Sequence, residues 1–231
     1  MRRFYRQVAV AADAGGHRVE LDGKPVLTPG RAVLLLPTPA LAEAVAGEWT
    51  AQGETIRPPT MPLTQIAATA IDRVRPNPAA MVDAIARYGE TDLVCYRADE
   101  PPALVARQHA VWQPLVDWAA LVHDAALRVV HGVMPEAQPA DALSALRAAV
   151  ARQDEWGLAA LSVATSAAGS LVIGLALLAG RIDAAAAWEA SQLDELFQVE
   201  RWGEDAEAAE RRALLRDDIA AAARFAALAR G

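Results

Sequence analysis

The sequence predicts an α+β fold in which a small antiparallel sheet precedes a helical domain. Strand-like segments are confined to the first third of the 231-residue chain, and helix-like segments follow one another after it. A proline-rich break near residues 76–78 separates the two regions. We therefore expect an N-terminal α+β domain at residues 1–76 and a C-terminal helical domain at residues 77–231.

Short segments rich in β-branched or aromatic residues make up the predicted sheet. They are residues 5–10, 17–21, 24–27 and 33–36. Asp22-Gly23 is the clearest turn signal, because both central positions of a two-residue hairpin turn need positive φ. Thr28-Pro29-Gly30 supplies a second turn. This order predicts an antiparallel meander.

The first predicted helix packs beside this sheet and begins after Thr38, a plausible N-cap, with Pro39 at the first helical position. Gly53 is expected to end it. Pro135 is one of the prolines that mark breaks between the later helices. Those helices are predicted at residues 64–74, 78–88, 103–122, 140–153, 158–178, 183–199 and 205–229.

Residues 157–180 carry no charge, and residues 171–178 are strongly apolar. The stretch is long enough to cross a bilayer, which takes about 20 apolar residues. Serine, threonine and glycine dilute its first half, which favours one buried helix at the centre of a bundle. A membrane-associated assembly factor stays open as an alternative.

Charge and cysteine content restrict the possible partners. The formal net charge of −7 argues against a nucleic-acid partner, which would need a basic surface, and fits a protein partner instead. Cys95 is the single cysteine, so no intrachain disulfide or multi-thiolate metal site can form, and a buried structural role is favoured for it. No leader segment is apparent, so we expect a cytoplasmic protein without stable membrane insertion.

Motifs that would carry chemistry are missing from the sequence. It has no phosphate-binding glycine loop, no nucleophile elbow, and no metal-ligand spacing among its four histidines. We therefore expect a protein that is not an enzyme and that has no catalytic residues, cofactor or metal. A small-molecule enzyme with a site in the cleft between the domains remains the alternative.

Several short motifs occur in a characteristic order. They are DGKPVLTP (22–29), EW (48–49), MPLTQIA (61–67), TDLVCYRA (91–98), RQ (107–108) and LDELFQVERWGED (193–205). The series, which extends from Phe4 to Phe225, resembles the assembly chaperone family of the ATP synthase alpha subunit, called F-one-sector assembly factor two in mitochondria.

The resemblance implies an α+β N-terminal domain followed by an orthogonal helical bundle. It also implies a chaperone that binds the free alpha subunit of the F-type ATP synthase and shields its subunit interface until the beta subunit replaces it. We expect the protein to be a monomer. Family members occur in alphaproteobacteria and in mitochondria. The alanine and arginine richness of this chain favours a bacterial, cytoplasmic protein, whereas its eukaryotic relatives would lie in the mitochondrial matrix.

Glu200 is the first candidate for partner binding. It continues the apolar stripe of Leu193 and Phe197 at helical spacing, and the resemblance implies a role for the glutamate ahead of Trp-Gly. The alternative is an internal ion pair with an arginine such as Arg201, Arg211 or Arg212. Glu195 is the second candidate, with a solvated helix face as its alternative.

Four further residues complete the candidate partner-binding set. Trp202 is expected to pack against the bundle just before Gly203 ends its helix, and Asp205 to begin the final helix. Met61 and Leu63 lie in an extended connector that could dock a partner, although packing inside the domain is the commoner outcome for such a segment.

Overall fold

The structure, a computed structural model, describes residues 1–132 and 136–231, so Pro135 and the break predicted there lie outside the described residues. The described residues form two compact units. Unit 1 combines Met1–Pro78, Asp154–Ala160 and Ala221–Gly231, and unit 2 combines Ala79–Gln153 and Leu161–Ala220. The α+β class is confirmed. The division of the chain into domains at residue 76 stays a prediction.

The sheet of unit 1 has four strands. They are β1 (Val8–Asp13), β2 (Gly16–Leu21), β3 (Lys24–Pro25) and β4 (Leu35–Leu36). The hairpin turn is confirmed, with φ of 49° at Asp22 and 76° at Gly23. The predicted meander is confirmed only in part at its last strand: Val33 pairs antiparallel with Leu27, whereas β4 pairs with β2 through His17 and Leu36.

The described residues form ten α-helices, with bounds that follow the predicted ones closely in most cases. They are α1 (Pro39–Thr50), α2 (Pro62–Thr69), α3 (Pro78–Ala86), α4 (Pro102–His123), α5 (Ala140–Ala151), α6 (Glu155–Ala168), α7 (Leu171–Leu178), α8 (Ala184–Ser191), α9 (Leu193–Trp202) and α10 (Ala206–Arg230). A short parallel pair in unit 2, β5 (Tyr96–Arg97) and β6 (Val130–His131), was not expected.

Helix α1 packs against β1 and β2 and buries Leu41 and Val45. Its predicted start is confirmed, because the Thr38 hydroxyl oxygen accepts a hydrogen bond from the Leu41 amide at 3.1 Å. It ends at Thr50, ahead of the predicted Gly53. After α2 the chain continues in a π-helical turn over Ala70–Val74.

The single helix predicted at residues 158–178 is wrong. Gly169 takes a φ of 64°, a left-handed conformation that ends α6, and Ser170 then caps α7 by accepting a hydrogen bond from the Ile173 amide at 3.0 Å. In the described residues, no helix combines the length and hydropathy that a bilayer crossing requires. Residues 183–199 likewise divide at Gln192 into α8 and α9.

Helix α7 lies in the core of unit 2, and all eight of its residues are buried. Gly174 lets this helix approach α6 closely, because a Cβ atom at Gly174 would lie 2.6 Å from the Thr165 hydroxyl oxygen. Close helix packing of this kind depends on the absence of a side chain.

Asp92 ties the loop ahead of β5 to the start of α7. Its carboxylate is completely buried and accepts hydrogen bonds from the Ser170 hydroxyl at 2.5 Å and from the Val172 amide at 3.0 Å. Burial raises the pKa of this carboxyl to about 6, although the hydrogen bonds from Ser170 and Val172 lower it. The charged form is therefore held at a cost in a site that excludes water.

We expect ionisation of Asp92 to destabilise the fold as the pH rises. Its pKa of about 6 in the folded chain lies above the ~3.9 of an unfolded aspartate, so the folded state binds the proton more tightly. The stabilisation is fully present below about pH 4 and is lost as the pH rises through about 6, with a magnitude of roughly 3 kcal/mol.

Urea unfolding of the wild type and of Asp92→Asn, measured from about pH 4 to about pH 7, tests this expectation. The variant cannot ionise at this position, so the difference between the two free energies of unfolding should shift in its favour by roughly 2 kcal/mol across this range. A difference that stays constant with pH would contradict the assignment.

Candidate partner-binding site

Two buried side chains of α4 hold the helices that carry the candidate site. The Trp112 indole N–H donates to the carbonyl oxygen of Ala190 in α8 at 2.8 Å. The Gln108 side-chain amide donates to the Asp194 carboxylate in α9 at 2.7 Å, while its oxygen accepts from the Ala98 amide at 2.8 Å. Because these polar groups are buried and satisfied, they fix the start of α9 relative to α4.

Helix α9 has one apolar face and one charged face. Leu193 and Phe197 are buried. The guanidinium carbons of Arg107 and Arg201 lie 5.3 Å and 4.3 Å from the centroid of the Phe197 ring. Cations at these distances interact favourably with the ring face, so Phe197 organises two arginines around the end of the helix.

Glu200 forms a bidentate ion pair with Arg107 of α4. Nη1 and Nη2 of the arginine donate to the two carboxylate oxygens at 2.7 Å and 2.9 Å. Hydrogen bonds from Arg107 hold the pKa of the Glu200 carboxyl below its usual range. The alternative of an internal ion pair is thus what the structure shows, although its partner is Arg107 and not Arg201, Arg211 or Arg212, and Arg212 pairs with Glu204 at 2.6 Å.

The pair remains open to solvent, with 55% of the Glu200 side chain exposed. Beside it lies a depression of about 470 Å³ between α4, α8 and α9. Val111, Trp188 and Leu196 are among its apolar lining residues, and Arg107 and Glu200 also line it. The carboxylate thus lies next to apolar surface, a combination that suits recognition of a protein surface.

A second depression of about 310 Å³ brings Glu195 and Asp205 together with Arg211. Glu195 is exposed. Asp205 caps α10, because its carboxylate accepts a hydrogen bond from the Ala208 amide at 2.9 Å. The prediction that Asp205 begins the final helix is confirmed, and this structural role accounts for the residue without a partner.

The environment of Trp202 differs from the predicted one. Gly203, with a φ of 87°, ends α9 as predicted. The side chain expected to pack against the bundle is instead 77% exposed. Trp202 is the last residue of its helix, where it points away from the packed stripe of Leu193 and Phe197. A large exposed aromatic side chain marks a candidate contact for another protein.

Met61 and Leu63 are buried in unit 1, with exposures of 3% and 1%. Leu63 lies in the first turn of α2, where the Leu63 and Thr64 amides each donate to the Glu48 carboxylate at 2.8 Å. The connector is therefore packed and capped, and burial leaves Leu63 no surface for a partner. We therefore do not propose that Leu63 contacts a partner.

Arg107 and Asp194 help to position the site and were not among the candidates predicted from the sequence. The sequence signal for Arg107 was the RQ motif, in which Arg107 and Gln108 are adjacent. Cys95 is buried as predicted, and burial raises the pKa of its thiol to about 12, which makes it a poor nucleophile. Within residues 1–132 and 136–231, no group of three His, Cys, Asp or Glu side chains is placed to hold a metal ion.

Comparison with known proteins shows which family has this architecture. A sequence model of the ATP12 chaperone protein matches residues 2–120. The crystal structure of Atp12 from Paracoccus denitrificans is 46% identical, covers 99% of this chain and 98% of its own, and superposes with a TM-score of 0.92.

Two further proteins are similar to this chain. A crystal structure of an Agrobacterium tumefaciens protein is 41% identical, covers 98% of this chain and 85% of its own, and has a TM-score of 0.92. The mitochondrial protein atp12 of Schizosaccharomyces pombe is 24% identical over 220 residues, which are 87% of this chain and 74% of that protein.

The structural role of Asp205 can be tested separately from binding. We expect Asp205→Ala to lower the free energy of unfolding by about 1 kcal/mol, because the first turn of α10 loses its cap. Asp205→Ser, which retains a hydroxyl acceptor, should remain close to the wild type. Urea unfolding measures both, and equal stability of the alanine variant and the wild type would show that the cap contributes nothing.

Proposed function

The chain belongs to the ATP12 chaperone family, and we propose on this premise that it binds the unassembled alpha subunit of the F-type ATP synthase. In this proposal it covers the subunit interface of the alpha subunit until the beta subunit replaces it. The observation that carries the proposal is the C-terminal end of α9, where Glu200 and Trp202 are exposed on different sides of a helix that buried hydrogen bonds hold in place.

A chaperone of this kind answers a physical problem of ring assembly. A subunit that will be buried in a ring exposes apolar interface before its partner arrives, and such surfaces aggregate. A protein that covers the surface must bind well enough to protect it and still yield to the correct partner. Competition between two binding equilibria provides this exchange without any chemical step.

The exposed end of α9 has the features of a binding hot spot. Trp202 offers a large aromatic surface, and tryptophan and arginine are the residues most often found at such positions. The apolar depression beside Arg107 and Glu200 could receive an apolar side chain, while the ion pair supplies polar groups at its edge. Glu195, which lines the separate depression with Asp205 and Arg211, is the second candidate.

We propose that the protein acts by binding alone and is not an enzyme. Its membership of a chaperone family supports this, and so does the buried, poorly ionised thiol of Cys95. A cytoplasmic site of action is proposed from the likeness to proteins of Paracoccus and Agrobacterium, whereas the fission yeast relative is mitochondrial.

Size-exclusion chromatography with purified components tests the proposed partner. The protein should form a complex with isolated alpha subunit and none with assembled synthase, because the interface it covers is buried in the ring. Added beta subunit should release it. Absence of a complex with freshly isolated, folded alpha subunit would refute the proposal.

Variants at Glu200 test the proposed site. Glu200→Lys should weaken binding of the alpha subunit by roughly tenfold or more, because it replaces a carboxylate by a repelling cation. The melting temperature should hardly change, because the pair is exposed.

The double variant Arg107→Glu/Glu200→Arg is the matched control. It exchanges the two charges, so an ion pair can still form, but the carboxylate now lies on α4 and not on α9. We expect it to bind as poorly as Glu200→Lys. Full binding by the double variant would show that Glu200 acts only through its ion pair and does not contact the partner.

A further inference from the structure

A second apolar surface lies in unit 1, among residues that the α9 site does not use. Three side chains near the N-terminus and the β3–β4 connection are unusually open for their type: Met1 is 73% exposed, Phe4 64% and Leu27 53%. Single exposed apolar residues need no explanation, but a contiguous group marks a contact surface.

These side chains line two adjoining depressions of about 480 Å³ and 350 Å³. Met1, Val26, Leu27 and Trp49 line both of them, Phe4 lines the larger, and Met61 lines the smaller. We call this surface the N-terminal groove. Met61, a partner candidate from the sequence, thus belongs to the groove wall, where its flexible thioether can adapt to an occupant.

The walls of the N-terminal groove are already ordered without an occupant. The Ile56 amide donates to the Met1 carbonyl oxygen at 2.8 Å, which pairs the first residues with the segment that follows α1. The Tyr5 hydroxyl donates to the Trp49 carbonyl oxygen at 2.6 Å, and the two rings meet edge to face at 5.8 Å. Binding therefore costs little ordering of the groove itself.

Trp49 supplies a polar group that lacks a partner. Its indole N–H is shielded from solvent and has no hydrogen-bond partner among the residues the structure describes. Buried donors are normally satisfied. Because this N–H has no accessible surface, an occupant of the groove cannot reach it in this conformation, so the donor does not identify the occupant.

The charge around the N-terminal groove differs from that of the rest of the chain. Residues 1–78 carry nine Lys and Arg against seven Asp and Glu, whereas residues 79–231 carry 13 against 22. Lys24 and Asp22 line the groove, and Arg2, Arg31, Arg57, Glu48 and Glu54 lie within two residues of lining positions in the sequence. The carboxylates of Asp22 and Glu48 already accept hydrogen bonds from the Gln7 and Leu63 amides. In the described part of the chain, none of the four cations forms a salt bridge.

We infer that the N-terminal groove binds a segment of the client polypeptide in which apolar side chains are flanked by Asp or Glu. The apolar lining contacts the apolar side chains, and the cations that form no salt bridge attract the carboxylates. This inference rests on the proposed function, because the client is the proposed alpha subunit. It adds a contact of opposite charge to the one at Glu200.

Two contacts of moderate strength would suit a protein that must release its client. Together they hold the client tightly, because the second contact forms within the complex. Once the beta subunit displaces one of them, the other alone is too weak to retain the alpha subunit.

Three variants test the inference, with isolated alpha subunit as the probe. Phe4→Ser/Leu27→Ser removes apolar groove surface, and Lys24→Glu/Arg57→Glu reverses its charge. Leu121→Ser, at a site that is 84% exposed in α4 and outside the groove, is the matched control. All the altered side chains are exposed, so the melting temperatures should stay close to that of the wild type.

We expect the serine double variant to bind the alpha subunit roughly tenfold more weakly than the wild type, and Leu121→Ser to bind like it. Charge reversal should slow association and weaken its dependence on salt. A photoreactive amino acid in place of Leu27 should cross-link to an alpha-subunit peptide that contains both apolar and acidic residues.

The outcomes separate this inference from the proposed function. Wild-type binding of the alpha subunit by both groove variants would overturn the groove assignment and leave the proposed function intact. Cross-linking of Leu27 to a second copy of this chain would also overturn it. So would groove variants that still bind the alpha subunit but no longer bind anionic lipid vesicles to which the wild type binds. Failure of the wild type to bind the alpha subunit would refute both.

Discussion

Helix α9 is held by two side chains of α4 whose polar atoms are buried and hydrogen-bonded. Trp112 reaches the last turn of α8, and Gln108 reaches Asp194 in the first turn of α9. A buried amide left without its partner would cost ~1–3 kcal/mol, so these contacts specify one arrangement of the three helices. The positions of Glu200 and Trp202 follow from that arrangement, since both lie further along the same helix.

This arrangement holds the proposed binding surface in place through buried hydrogen bonds. The face of α9 toward α4 is packed, whereas its far end offers an exposed tryptophan and an anionic side chain beside an apolar depression. Preorganisation lowers the ordering cost of association and leaves the interaction energy for the partner. Such a surface suits a chaperone that is displaced by competition, because its occupancy depends only on relative affinities and concentrations.

Local signals in the sequence were sufficient for much of the fold. The Thr38 cap and the Asp22-Gly23 turn were predicted correctly because each depends only on neighbouring residues. The charge-free stretch was misread as one helix, since apolar residues on all sides hide the periodicity that would reveal the break at Gly169. The partner of Glu200 could not be deduced, because Arg107 lies 93 positions away and only tertiary packing brings it close.

Hydrogen–deuterium exchange of the chain, alone and with isolated alpha subunit, tests the account most directly. The account requires that amides from the second half of α9 to the start of α10, residues 196–208, become more protected in the complex, while the buried amides of α7 exchange equally slowly in both states. Unchanged exchange across residues 196–208 in a complex that is demonstrably formed would contradict the claim that this surface receives the partner.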